Sequence, residues 1–395
     1  MHNALIYSAG FDGHRQVYVF VLSHILGELK FNIFIAGNLT EKITTSLYIE
    51  KLQKDDRVTM IDTSSYAQGG LEISAMEIIE LQNKYNIELT VFAEADHHIS
   101  LFNAQINCKR NKLYGKTIGI FLRPFYYYEK LSFLDKLRYI KHFTSRWRTD
   151  DRLFHGLLLK HHRLLDSALY IDENFVAHHK LTQWLPDVFQ QFAETLMRYE
   201  YIEQRIWIDR LKEFTEKNKG LFIFLYFGTA QKRRGYDLLL KMAIEQNACF
   251  VHCGLRDERE KYYYDVDGFR KILCDNERIM ETDQYISDPI TIECFFKSVS
   301  HLVLPYRSFY GSSGVMLQAL TYGIPVLVPD EGIIGYRVKK NNLGLTYKED
   351  FNSLIEQYKK FKEISKKSFA DSIDLYMHQQ SVTNLKEVLV KTMKI

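Results

Sequence analysis

Three stretches of the 395-residue chain set glycine, small hydroxyl and charged residues side by side in ways that suit ligand chemistry. Ser312-Ser313-Gly314-Val315 precedes a helix-like run to Tyr322, so peptide amides and a helix dipole stand ready for a phosphate. Gly228-Thr229-Ala230-Gln231-Lys232-Arg233-Arg234-Gly235 sets three consecutive cations between glycines, a natural clamp for a diphosphate. It lacks the Lys-Ser/Thr ending of a triphosphate-binding loop, which argues against kinase or ATPase chemistry. In Ser8-Ala9-Gly10-Phe11-Asp12-Gly13-His14-Arg15, Gly10 and Gly13 permit a tight turn and a close approach to a ligand. His14, with an intrinsic pKa near about 6.5, suits acid–base work or substrate binding. Glu94, Asp96, His97 and His98 are rivals for that role, and such a cluster serves acceptor binding as readily as catalysis.

The elements that must position these loops follow from the hydrophobic pattern. Short apolar runs at Ala4–Ser8, Asn32–Ala36, Val58–Asp62, Glu88–Ala93, Thr117–Leu122 and Ser167–Ile171 alternate with helical patterns such as Gly13–Leu29 and Leu71–Tyr85. The alternation pauses at Trp184-Leu185-Pro186-Asp187, and a charged helical stretch then runs from about 193 to 217. It resumes with runs at Leu221–Phe227, Cys249–Cys253, Ile279–Glu281, His301–Pro305 and Pro325–Val328. This is the pattern of parallel βαβ units, and it predicts two doubly wound α/β domains joined near 186–218. Ligands bind beyond the carboxyl ends of strands in such sheets, where all three loops fall.

The second half carries Phe224-Leu225-Tyr226-Phe227-Gly228, Arg234-Gly235-Tyr236-Asp237-Leu238-Leu239-Leu240 and Phe295-Phe296-Lys297. Leu302-Val303-Leu304-Pro305-Tyr306, Gly311-Ser312-Ser313-Gly314-Val315 and Ala319-Leu320-Thr321-Tyr322-Gly323-Ile324-Pro325-Val326 follow in order. In these segments the chain resembles the group 1 (family 4) nucleotide-sugar glycosyltransferases of the two-Rossmann-domain, or GT-B, type. The resemblance implies an acceptor-side domain over 1–188, completed by a returning C-terminal helix over 371–395, and a nucleotide-sugar domain over 189–370. It implies transfer of a sugar from a nucleoside diphosphate to a glycan or lipid-linked acceptor, in surface polysaccharide assembly, with no cofactor and no catalytic metal. Asp55-Asp56 and Asp150-Asp151 are adjacent pairs, not the Asp-x-Asp of a metal loop.

By the same resemblance Arg234 meets the donor diphosphate. Thr229 stands where a second basic residue is usual, with Lys232 or Arg233 to compensate. The family's two glutamates, eight residues apart, are replaced by Tyr310 and Gln318. Gln318 keeps the capacity to hydrogen-bond a ribose hydroxyl but not the charge; Tyr310 replaces no carboxylate. The amides around Ser312–Val315 do not depend on side-chain identity. Group 1 enzymes retain anomeric configuration, while His14 sits where some inverting GT-B enzymes carry a base, so the stereochemistry stays open. Two other readings accompany these departures: a GT-B protein that binds a sugar nucleotide or partner without turnover, and a sugar-nucleotide epimerase.

The net charge of +3, from 52 basic and 49 acidic residues, gives no global pull toward nucleic acid. Five scattered cysteines fit reduced thiols of a cytoplasmic protein, and the start of the chain has no signal-peptide pattern. Aromatic residues make up 14% of the chain, and nine of them fall within 116–148 beside eight Lys/Arg and two acids. A basic, ring-rich stretch suits the anionic inner face of a membrane. Phe133, Leu137, Ile140 and Phe143 serve equally as the core face of a helix.

Overall fold

The computed structural model describes residues 2–11, 14–39, 47–65, 75–97, 115–122, 165–178, 183–197, 203–256, 268–309 and 311–393. The chain divides into two compact units, one of Met1–Ala193 with Ser381–Ile395 and one of Glu194–Gln380.

The first unit holds one parallel sheet of β1 (His2–Tyr7), β2 (Phe31–Gly37), β3 (Val58–Asp62), β4 (Leu89–Phe92), β5 (Lys116–Phe121), β6 (Ser167–Tyr170) and β7 (Gln183–Trp184). Their order is β3-β2-β1-β4-β5-β6-β7, all neighbours parallel. β4 is buried along its whole length and β1 from Ala4 onward, the reason these strands read as unbroken apolar runs. Helices α1 (His14–Glu28), α2 (Leu47–Gln53), α3 (Ala75–Lys84) and α4 (Glu173–His178) belong to the described chain around it, and α5 (Phe189–Met197) runs from the first unit into the second. The chain winds from β1 toward β3 and then from β4 toward β7, so the switch point lies between β1 and β4.

The second unit contains two parallel three-stranded ladders, β10-β9-β8 and β11-β12-β13. They are formed by β8 (Ile223–Phe227), β9 (Cys249–Cys253), β10 (Ile279–Glu281), β11 (Leu302–Val303), β12 (Val326–Pro329) and β13 (Gly344–Tyr347). β8 and β11 lie side by side without ladder hydrogen bonds. The helices are α6 (Ile206–Lys217), α7 (Tyr236–Glu245), α8 (Phe269–Asp275), α9 (Pro289–Lys297), α10 (Gly314–Thr321), α11 (Gly332–Asn341), α12 (Phe351–Glu363) and α13 (Ala370–Gln379). One apolar cluster joins them, rich in rings: Phe224 and Phe222 meet Tyr358, and Tyr236 stands edge-on to Tyr226, Phe250 and His252. Much of the aromatic content is therefore core. Cys249 and Cys253 are free and buried, and burial pushes both thiols above their ordinary pKa.

The expectation of doubly wound parallel units is met in both halves. The ends of the elements differ in instructive places. The segment expected as one helix from Asp371 is two, α13 and α14 (Val382–Met393), because Ser381 caps the second by accepting from the Asn384 amide at 3.2 Å. Only α14 belongs to the first unit. It buries Leu385, Leu389 and Met393 there, pairs Lys386 with Glu28, and Thr392 donates to Gln183 at 3.1 Å. The charged stretch from 193 to 217 divides into α5 and α6, with a 3-10 turn at Glu203–Arg205 before the second. Of the basic, ring-rich segment, Lys116–Phe121 forms β5; residues 123–148 lie outside the described residues. Among the described residues, no helix is long and apolar enough to cross a membrane.

Candidate functional site

In the second unit the basic loop and the Ser-Ser-Gly loop leave the adjacent ends of β8 and β11. After β8, Gly228 N donates to Cys253 O and Ala230 N to Leu255 O, both at 2.8 Å, so the loop first runs on along β9. Tyr226 holds it from beneath: its hydroxyl donates to Thr229 O and accepts from Gln231 N, each at 3.0 Å. Burial keeps that phenol protonated by pushing its pKa up. Lys232, Arg233 and Arg234 then form a 3-10 turn closed by Gly235 at φ +72°. A side chain at Gly235 would be strained at that angle and would collide with the Pro305 carbonyl, so only glycine lets this turn press onto the end of β11.

Arg234 lies over Gly228, its Nη1 2.7 Å from where a Cβ would stand, and it has no carboxylate partner among the described residues. Arg307 differs: both Nη atoms donate to Asp237 at 2.7 Å. Ser313 caps α10, its Oγ accepting from Met316 N at 3.2 Å and lying 3.1 Å from the Tyr306 hydroxyl. The Gly314 and Val315 amides find no acceptor among the described residues, and the space where a Gly314 Cβ would lie is open to 4 Å. Ser312 Oγ accepts from Arg337 Nη1 at 2.8 Å, and Arg337 is fully buried. An unpaired guanidinium and free helix-start amides at one strand seam can hold a di-anionic phosphate group.

Gln318 takes a different direction from an open site. Its side chain is buried, and Nε2 donates to Glu194 Oε2 at 2.6 Å and to the Tyr322 hydroxyl at 3.0 Å. Tyr310 lies outside the described residues. Lys232 and Arg233 are exposed, and the Arg233 carbonyl accepts from Arg307 N at 2.9 Å.

In the first unit the switch point between β1 and β4 brings the first glycine loop beside the Glu94–His97 loop. Ser8 Oγ donates to Gly10 O at 2.7 Å, which tightens the turn. Arg15 Nε donates to Glu94 Oε2 at 2.9 Å in a mostly buried ion pair. Asp96 is buried, and its carboxylate accepts from Leu122 N at 2.7 Å, tying this loop to the end of β5. Gly13 and the side chains of His14 and His97 lie outside the described residues; His14 opens α1 and His97 ends the turn Ala95–His97. The Arg15–Glu94 and Arg307–Asp237 pairs escape a linear reading, since the partners are 79 and 70 residues apart. Their only signal is opposite charge at the ends of strands that prove to be neighbours.

The chain has the GT-B fold. Over its full length it is similar to sucrose-phosphate synthase from Thermosynechococcus elongatus, with a TM-score of 0.66 at 12% identity, covering 100% of this chain and 98% of that one. It is similar to HepE of Anabaena solved in complex with UDP (TM-score 0.62, 11% identity, 100% of both chains). It is also similar to UDP-GlcNAc 2-epimerase from Neisseria meningitidis bound to UDP-GlcNAc (TM-score 0.60, 11% identity, 100% of this chain and 99% of that one). No protein-family model matches the chain, and no curated protein matches it by sequence. The likeness is one of fold, and this fold carries more than one chemistry.

Proposed function

We propose that the protein is a glycosyltransferase that binds a nucleoside-diphosphate sugar at the β8/β11 seam and passes the sugar to a glycan or lipid-linked acceptor. The observation that carries this reading is the placement of the unpaired Arg234 and the free Gly314 and Val315 amides on the two loops that leave the adjacent ends of β8 and β11. As the sugar leaves through an oxocarbenium-like state, negative charge grows on the departing diphosphate, and these donors stabilise it. Thr229, Lys232, Arg233, Ser312 and Ser313 frame the same phosphate region. The second unit thus takes the donor and the first the acceptor, with His14, Asp96 and His97 at the acceptor-side switch point. The 116–148 segment serves as the face toward an anionic membrane, in surface polysaccharide assembly on the cytoplasmic side. Fold neighbours that carry UDP or UDP-GlcNAc support a uridine nucleotide.

The fold likeness to an epimerase sustains the second reading, which differs in needing no acceptor. Incubation with nucleotide sugars separates the two: transfer or donor hydrolysis marks the first, an epimerised nucleotide sugar the second. Arg234→Ala removes a charge-assisted hydrogen bond of about 1.5–3 kcal/mol, a loss of roughly 10- to 150-fold in diphosphate affinity. Calorimetry on a variant with unchanged melting checks it, and full affinity would remove Arg234 from the site.

A further inference from the structure

We propose that Arg307 is a positioning residue for the donor site, holding the basic turn so that Arg234 faces the bound diphosphate. The inference rests on the donor-site reading above. β8 and β11 are joined by the apolar core but exchange no ladder hydrogen bonds, so polar ties between the loops at their ends set how those loops face each other. Arg307 supplies these ties. Its backbone N–H donates to Arg233 O at 2.9 Å, and its Nη1 donates to Lys232 O at 2.5 Å. Those two carbonyls belong to the 3-10 turn whose third residue is Arg234.

The guanidinium is itself anchored by the fork to Asp237, in the first turn of α7. A planar bidentate fork fixes orientation as well as distance, which an ammonium cannot reproduce. On the far side, Ser308 N donates to Glu349 Oε1 at 2.6 Å, so the segment carrying Arg307 is tied at both edges. Asp237 also neutralises Arg307, leaving Arg234 as the attraction for an anion. Arg307 therefore acts on a ligand through Arg234.

A double-mutant cycle reads that dependence. UDP, ADP, GDP, CDP and TDP are titrated into the full chain by calorimetry. The tightest is carried through Arg307→Ala, Arg307→Lys, Arg234→Ala and the Arg307→Ala/Arg234→Ala double variant. Arg307→Ala is expected to weaken the nucleotide about tenfold, and the double variant to bind within about twofold of Arg234→Ala alone. Arg307→Lys should recover little of the loss, while melting temperature falls equally in both backgrounds. Asp237→Asn, which breaks the fork from the other end, repeats the test if Arg307→Ala does not fold. Equal weakening by Arg307→Ala with and without Arg234, or none in folded protein, overturns the positioning role alone. A wild-type protein that binds none of the five nucleotides overturns the donor-site reading beneath it.

Discussion

Gln318→Glu exchanges a buried amide for a carboxylate, and it should harm the protein. Gln318 donates through Nε2 to the buried Glu194 carboxylate at 2.6 Å. A carboxylate there would face another carboxylate at hydrogen-bond distance, away from water. The least costly answer is to protonate one of the pair, which preserves the bond as a carboxylic acid donating to a carboxylate. The folded pKa of the introduced group is thereby raised above its unfolded value of about 4.3. The sign follows: the variant matches the wild type below that value and loses ground as pH rises toward the raised folded pKa. At about 1.4 kcal/mol per pH unit over roughly 2.7 units, the deficit at pH 7 reaches about 3–4 kcal/mol. For a unit of this size that is a drop on the order of 10 °C in melting temperature. Melting of wild type and variant from pH 4 to 7.5 measures it, and the charge-swapped Glu194→Gln/Gln318→Glu pair should remove the pH-dependent part. A variant as stable as the wild type at pH 7, with no pH dependence, refutes the inward placement of Gln318.

Two further outcomes test the second unit. Gly254 has φ +151° and a Cβ there would penetrate the Gly228 carbonyl, so Gly254→Ala should cost about 3 kcal/mol or more and loosen the basic loop. An unchanged melting curve would contradict that close approach. His252 is fully buried and donates from Nε2 to Gly228 O at 3.0 Å, and desolvation holds its pKa below 6.5. Its folded pKa being the lower one, stability is full above about pH 6.5 and falls as acid approaches the folded value, by at most about 1.4 kcal/mol per pH unit. Urea unfolding at pH 7.5 and 5.5 should show a smaller acid loss in His252→Phe than in the wild type; equal losses would sink the assignment.

Burial explains how much of the architecture was legible. Cys249–Cys253 reads as a strand with the limits the structure gives it because it is buried along its whole length, and Ile279–Glu281 agrees as well although only Met280 is buried. β13 did not: Gly344-Leu345-Thr346-Tyr347 is short and mixed, and it becomes a strand by pairing with β12. The loops stood out because glycines and clustered charges mark strand ends. Side-chain direction did not. α10 buries Met316 through Leu320 without interruption, so it offers Gln318 no polar face, a fact set by packing on both sides of the helix. Partners 70 residues apart cannot be matched before the strand order is known.

The first unit is made of two pieces of chain, and the second is a single uninterrupted insert between them. A ribosome working from the amino end therefore finishes the insert before it has made the helix that buries Leu385, Leu389 and Met393 in the unit begun first. The second unit can close on itself while the first still exposes the apolar surface awaiting that helix. Biosynthesis thus leaves the first-begun half for last, and emergence of the helix Val382–Met393 is the event that supplies its missing face. A nascent chain arrested near Gln380 would hold a finished second unit and an unfinished first one.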